Sequence, residues 1–182
     1  MQRNYNYKRF TFSNNKATLI AALDTILVHI SQGIGNLRNA DNIISRSKWI
    51  LTELLTNASK HSNENLINFD ICIGNSIVEI AKLEYGEPFA IQIDDERKTF
   101  PGSFIENNQY IIHKDDLCIL YATVSNKIMT FTIEDVEITG ERVHEINEHF
   151  GLIIITKSSD KFTYKYDFET KANIFMVKLN LA

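Results

Sequence analysis

The hydrophobic and polar positions follow two rhythms, helical near the start of the chain and alternating later. "YNYKRFTFS", Tyr5 to Ser13, alternates apolar with polar residues as a half-buried strand does. "NNKATLIAALDTILVHISQGIG" then sets Leu19, Ala22, Ile26, His29 and Ile30 at helical spacing and ends at the breaker Gly33-Ile34-Gly35. A second helix is expected from near Asp41, an acceptable N-cap, to His61 or Ser62. Strand patterns dominate from there. "LINFDICI" and "SIVEIAKLE" flank Gly74-Asn75, a two-residue hairpin turn. "LCILYATV" and "KIMTFTIE" flank Ser125-Asn126 and predict a second hairpin, 117–134, that extends the sheet. "KFTYKYDF" and "NIFMVKLNL" predict a third, with Phe162, Tyr164, Tyr166 and Phe168 on one face. Before it, "ERVHEINEHFG" reads as helix, while "LIIITKSS" is ambiguous because its β-branched run is strand-like by propensity. Two early helices followed by antiparallel hairpins predict an α+β fold with helices on one sheet face.

Composition narrows the partners. At 182 residues the chain suits a single domain, 1–182, with 44% apolar and 23% charged residues, as ordinary globular proteins have. A formal charge of −4 supplies no basic footprint, so neither nucleic acid nor a membrane surface is expected as partner. Cys72 and Cys118 are far apart and have no C-x-x-C spacing, which suits small buried side chains in a reducing compartment. "MQRNYNYKRF" lacks the apolar run of a signal peptide, and no uninterrupted apolar stretch approaches the ~20 residues of a span. A cytoplasmic location is the expectation.

The second helix carries the chemistry. At about 100° per residue, Glu53 and Asn57 lie roughly 40° apart with Lys60 near Glu53, and His61 falls between this stripe and the core side. The stripe borders the apolar face of Leu51, Leu54 and Ala58 instead of opposing it. A pocket between helix and sheet would open there.

"ELLTNASKH", Glu53 to His61, resembles the N box of the ATPase superfamily that unites gyrase, MutL, sensor histidine kinases and anti-sigma factor serine kinases. The last of these is the nearest branch. Two further motifs follow in order: "LEYGEPF", with Glu84, Gly86, Pro88 and Phe89, and "HFGLIIITKSS", with Gly151. The resemblance covers most of 1–90 and 149–182 and leaves a probable insertion around 94–135. It implies a two-layer α/β sandwich whose mixed, mainly antiparallel sheet is covered by helices on one face. By the same resemblance the protein would bind Mg-ATP and transfer a phosphoryl group to a Ser or Thr of a regulatory protein partner. Glu53 would be the catalytic base and Asn57 the Mg²⁺ ligand, since an amide oxygen is a hard donor. Lys60 or His61 would neutralise phosphate charge, Glu84 and Gly86 would contact adenine, and Gly151 would sit at the phosphates. A homodimer is an open option.

The departures from the family are specific. Glu84 stands for an Asp, Pro88 for the second glycine of the first box, and His149 for the first glycine of the second. Lost glycines remove places where backbone can approach phosphate. The alternative expectation is therefore a degenerate, non-catalytic interaction module of the same fold, with ATP hydrolysis without transfer as a third. "HEINEH" misses the H-E-x-x-H zinc motif, because Glu148 stands where the second His is needed. "IDDERK" reads as a solvated loop, and the aromatic ladder of 162–168 lacks the basic groove of a strand-binding platform.

Overall fold

The computed structural model describes residues 6–61, 64–93, 96–136 and 149–181, and of His61 the backbone. Strand β1 (Asn6–Ser13) is followed by helices α1 (Lys16–Ile34) and α2 (Ala40–His61). Strands β2 (Leu66–Ile73), β3 (Ile77–Tyr85), β4 (Ala90–Ile93), β5 (Glu96–Thr99), β6 (Gln109–Lys114), β7 (Cys118–Ser125) and β8 (Ile128–Asp135) come next. Helix α3 (Phe150–Lys157) and strands β9 (Lys161–Asp167) and β10 (Ala172–Asn180) complete the order.

Eight strands form one sheet in the order β1-β2-β3-β10-β9-β8-β7-β6, and β4-β5 form a separate ribbon. Every pairing among the described strands is antiparallel. This corrects the expected two-layer α/β sandwich with its mixed sheet: sheet dominates the molecule. The reason lies in the middle of the chain. Strands β6, β7 and β8 join the main sheet beyond β9 and widen it. Eight strands at about 4.8 Å span close to 35 Å, more than two long helices about 10 Å apart and one short helix can cover. Helix α3 has only 8 residues.

Local chemistry places the elements much as the pattern predicts. Asn15 caps α1, its side-chain oxygen accepting from the Thr18 amide at 3.1 Å, and Gly35 ends it at φ 58°. Ala22, Ile26, Ile30 and Ile34 make its buried stripe. By length and composition α1 is also the one described helix apolar enough to cross a membrane, with mean hydropathy 1.5. Only 22% of that stretch is buried, and Asp24 and His29 interrupt its apolar run. The ambiguous "LIIITKSS" is helical, as tertiary burial of Ile153, Ile155 and Thr156 overrides β propensity. Hairpin β7–β8 turns at Asn126-Lys127, both at positive φ (52° and 58°), one residue later than expected. Of "IDDERK", residues 96–98 belong to strand β5. The helix expected over "ERVHEINEHFG" lies mostly outside the described residues.

Register builds one continuous row across the buried face: Phe10, Phe69, Lys82, Phe175, Tyr164, Met129 and Val124. Six of the seven belong to the hydrophobic core, which also takes in residues of all three helices. The seventh is a lysine. The opposite face carries exposed polar pairs such as Arg9–Asp70 and Thr11–Asn68.

Candidate functional site

Helix α2 buries Ile50, Leu51, Leu54, Leu55 and Ala58, which leaves Glu53 and Asn57 half-buried at the margin of that face. Helix α3 lies antiparallel along this margin. At one end, Arg46 donates to the Ser158 carbonyl at 2.9 Å and pairs with Asp160 at 3.0 Å. At the other, Gly151 meets Glu53 and Asn57. A Cβ at position 151 would stand 2.8 Å from Glu53 Oε2, 3.3 Å from Asn57 Nδ2 and 3.5 Å from Asn57 Oδ1. Only glycine lets the first turn of α3 settle this close without moving the Glu53 side chain. Burial pushes the Glu53 carboxyl above its ordinary value, while the Lys60 charge draws it partly back. Lys60 itself is exposed at the end of the stripe. The His61 side chain lies outside the described residues.

A second cluster stands on the sheet. Lys82 is 3% exposed, and its Nζ donates to Glu84 Oε1 at 2.9 Å and lies 4.8 Å from the centre of the Phe175 ring. Burial pulls the Lys82 ammonium below its ordinary value, and the Glu84 charge and hydrogen bond oppose that shift. Glu84 pairs in register with Asn173, which pairs with Tyr166.

These neighbours staple the "YGEPF" loop. Asn173 Nδ2 donates to the Glu87 carbonyl at 3.0 Å, and its Oδ1 accepts from the Phe89 amide at 2.9 Å and the Tyr164 hydroxyl at 2.7 Å. Tyr166 donates to the Gly86 carbonyl at 2.9 Å. Gly86 sits at φ 134°, in the region that favours glycine. Burial pushes the Tyr164 hydroxyl well above its ordinary value, so it remains a neutral donor.

The structure thus joins Glu53, Asn57 and Gly151 in one cluster and Glu84 with Gly86 in another. Among the described residues, no hydrogen bond or ion pair links the two. Sequence does not single out Lys82 or Asn173, and it presents Tyr164 and Tyr166 only as members of an aromatic ladder. One signal was present: in "SIVEIAKLE", Lys82 occupies the parity of Val78 and Ile80, both fully buried.

No group of three or more His, Cys, Asp or Glu among the described residues could cage a metal. The donors at α2 nevertheless suit Mg²⁺, which takes one or two protein oxygens together with phosphate oxygens and waters. Asn57 Oδ1, at the margin of α2 against Gly151, is such an oxygen. No protein-family model matches the chain, and no curated protein is significantly similar to it.

Proposed function

We propose that the protein binds Mg-ATP and transfers its γ-phosphoryl group to a Ser or Thr of a regulatory protein partner. The observation that carries this reading is the meeting of Glu53, Asn57 and Gly151 at the junction of α2 and α3. It rests on that local arrangement and on the motif resemblance, not on sheet architecture.

Asn57, with phosphate oxygens, would hold the Mg²⁺ ion, which when bound offsets phosphate charge. Backbone amides at the start of α3 face phosphate favourably, as helix N-termini do. Glu53 accepts the proton of the attacking hydroxyl. The hydroxyl oxygen of the partner's Ser or Thr would bond to the γ-phosphorus as the bond from that phosphorus to the bridging oxygen of ADP breaks, giving phosphoserine or phosphothreonine and ADP. A carboxyl raised by burial is a better base than an ordinary one, because proton affinity lies nearer working pH. Glu84 and Gly86 would contact adenine.

One observation favours a second reading, a non-catalytic interaction module. Gly151 already rests on Glu53 and Asn57, so phosphate can enter only if the first turn of α3 shifts. A module that never opens would use the same contact simply to dock α3. Thermal melting separates the two. Mg-ATP at about 100 times its dissociation constant stabilises the native state by about 2.7 kcal/mol, a rise of several degrees in Tm. The kinase reading expects that rise, weakened by EDTA and by Asn57→Ala. An unchanged Tm in millimolar Mg-ATP leaves the interaction module.

A further inference from the structure

Helix α1 turns an apolar side outward. Its only formal charges are Lys16 and Asp24, and little of its apolar stretch is buried. Ile20 is 73% exposed, more than any other large hydrophobic side chain among the described residues, and Val28, two turns on, is 55% exposed. Ala17, Ala21 and Thr25 lie exposed beside them, and the Thr25 hydroxyl donates back to the Ala21 carbonyl at 2.6 Å. The two charges frame this surface symmetrically. Lys16, Ile20 and Asp24 stand at i, i+4 and i+8, one row of the helix with Ile20 at its centre. Two turns separate the charges, about 12 Å along the axis, which is too far for them to pair with each other. Three and four residues from Asp24 stand Ile20, Ala21, Leu27 and Val28, all apolar. Neither Lys16 nor Asp24 makes an ion pair among the described residues.

We infer that α1 is the contact between two copies of this chain, the helices crossing antiparallel about a two-fold axis at Ile20. Ile20 then packs on Ile20 of the second copy, and at each end Lys16 of one copy meets Asp24 of the other. A row that reads cation, apolar, anion is complementary to itself only when reversed, and a two-fold axis supplies that reversal. A parallel pair would set lysine on lysine and aspartate on aspartate. Rows of i±4 spacing laid alongside each other are the commonest contact between helices in globular proteins. The neighbouring row Ala17, Ala21 and Thr25 is small, which leaves a groove for Ile20 of the second copy. A lipid surface fits worse, because an interfacial helix keeps its charges on the polar side, whereas Asp24 stands between Ile20 and Val28 on the apolar one. A single helix pair falls at the small, weak end of specific interfaces, so association is expected from roughly micromolar concentration upward. The inference is independent of the nucleotide reading, since α1 contributes no residue to either cluster described above.

Sedimentation velocity over a series from micromolar to near-millimolar protein tests this. The mass of wild type should rise from 20.9 kDa towards twice that value. Ile20→Glu changes a side chain outside the core, so it should keep the circular dichroism of wild type and raise the dissociation constant by about tenfold or more. Lys16→Asp and Asp24→Lys each set like charges at both ends of the contact and should each weaken association about tenfold. An equal mixture of these two variants restores opposite charges at both ends and should associate as wild type does. Wild type that stays at 20.9 kDa throughout overturns the inference, and binding of that monomer to phosphatidylcholine vesicles would assign the face to lipid instead. Self-association unmoved by Ile20→Glu overturns it as well, because the contact then lies elsewhere. A mixture of the two charge variants that remains monomeric contradicts the antiparallel two-fold. Should Ile20→Glu fail to fold, the mixture still decides, since both of its substitutions fall on exposed charges.

Discussion

The helix-borne cluster and the sheet-borne cluster are built in opposite ways. Glu53 and Asn57 sit at the margin of α2 with Gly151 against them, held by contact. On the sheet, Asn173 alone makes three hydrogen bonds, Tyr166 holds Gly86, and Lys82 anchors Glu84 from inside the core. The first arrangement suits groups that must exchange protons and admit phosphate. The second suits a fixed surface that reads shape and hydrogen bonds. The groups that the proposed reading assigns to chemistry thus rest on helix contacts, and those it assigns to recognition rest on a hydrogen-bonded loop.

Removing Glu84 should have the largest effect. Glu84→Ala leaves the buried Lys82 ammonium without its partner, at a cost of about 3–5 kcal/mol in chemical denaturation near neutral pH. The sign of its pH dependence follows from Lys82. A lysine whose folded value lies below its unfolded value of about 10.5 binds fewer protons when folded, so lost stability returns as pH rises towards that value. A loss that is constant up to pH 10 would show that Lys82 is not the cause.

Asn173→Ala comes next. It leaves the buried Tyr164 hydroxyl without an acceptor and takes one of two acceptors from the Phe89 amide, which keeps the Tyr164 oxygen at 2.9 Å, and should cost about 1–3 kcal/mol. Asn57→Ala, in the helix-borne cluster, should change stability by less than about 0.5 kcal/mol in the same assay. Equal losses at the two asparagines would erase the distinction between the clusters.

The smallest effect belongs to Glu53. Its carboxyl is raised by burial, so the charged form is disfavoured in the folded state, and Glu53→Gln should stabilise the protein at pH 7 by a few tenths of a kcal/mol. Wild type keeps full stability below the ordinary carboxyl value of about 4.5 and loses this part as pH rises, so the gain should vanish in acid. A gain that persists at pH 4 would point to packing instead of charge.

Elements whose pattern repeats were legible in the sequence. The α2 stripe and the hairpins β2–β3, β7–β8 and β9–β10 each follow from the spacing of apolar residues. What escaped depends on long-range pairing. Nothing local says that β8 pairs with β9 across the 137–148 segment, yet that pairing widens the sheet and overturns the sandwich. Strand β6 carries a register break between Ile111 and His113, which blurs its alternation. Lys82 and Asn173 are polar residues on core parity, and only the neighbours brought by β3, β9 and β10 explain how each is satisfied. Helix α3 shows propensity overridden by burial.

Hydrogen–deuterium exchange with and without Mg-ATP tests most directly whether the two clusters line one ligand site. Amides at the start of α3, which have no partner within that helix, should exchange fast in the free protein and slow by more than tenfold with Mg-ATP, while those of 53–57, inside the core-packed helix α2, are protected throughout. The 84–89 loop, already stapled, should slow only slightly, and at the same ligand concentration. Protection confined to one cluster, or absent from both at saturating Mg-ATP, would contradict the account.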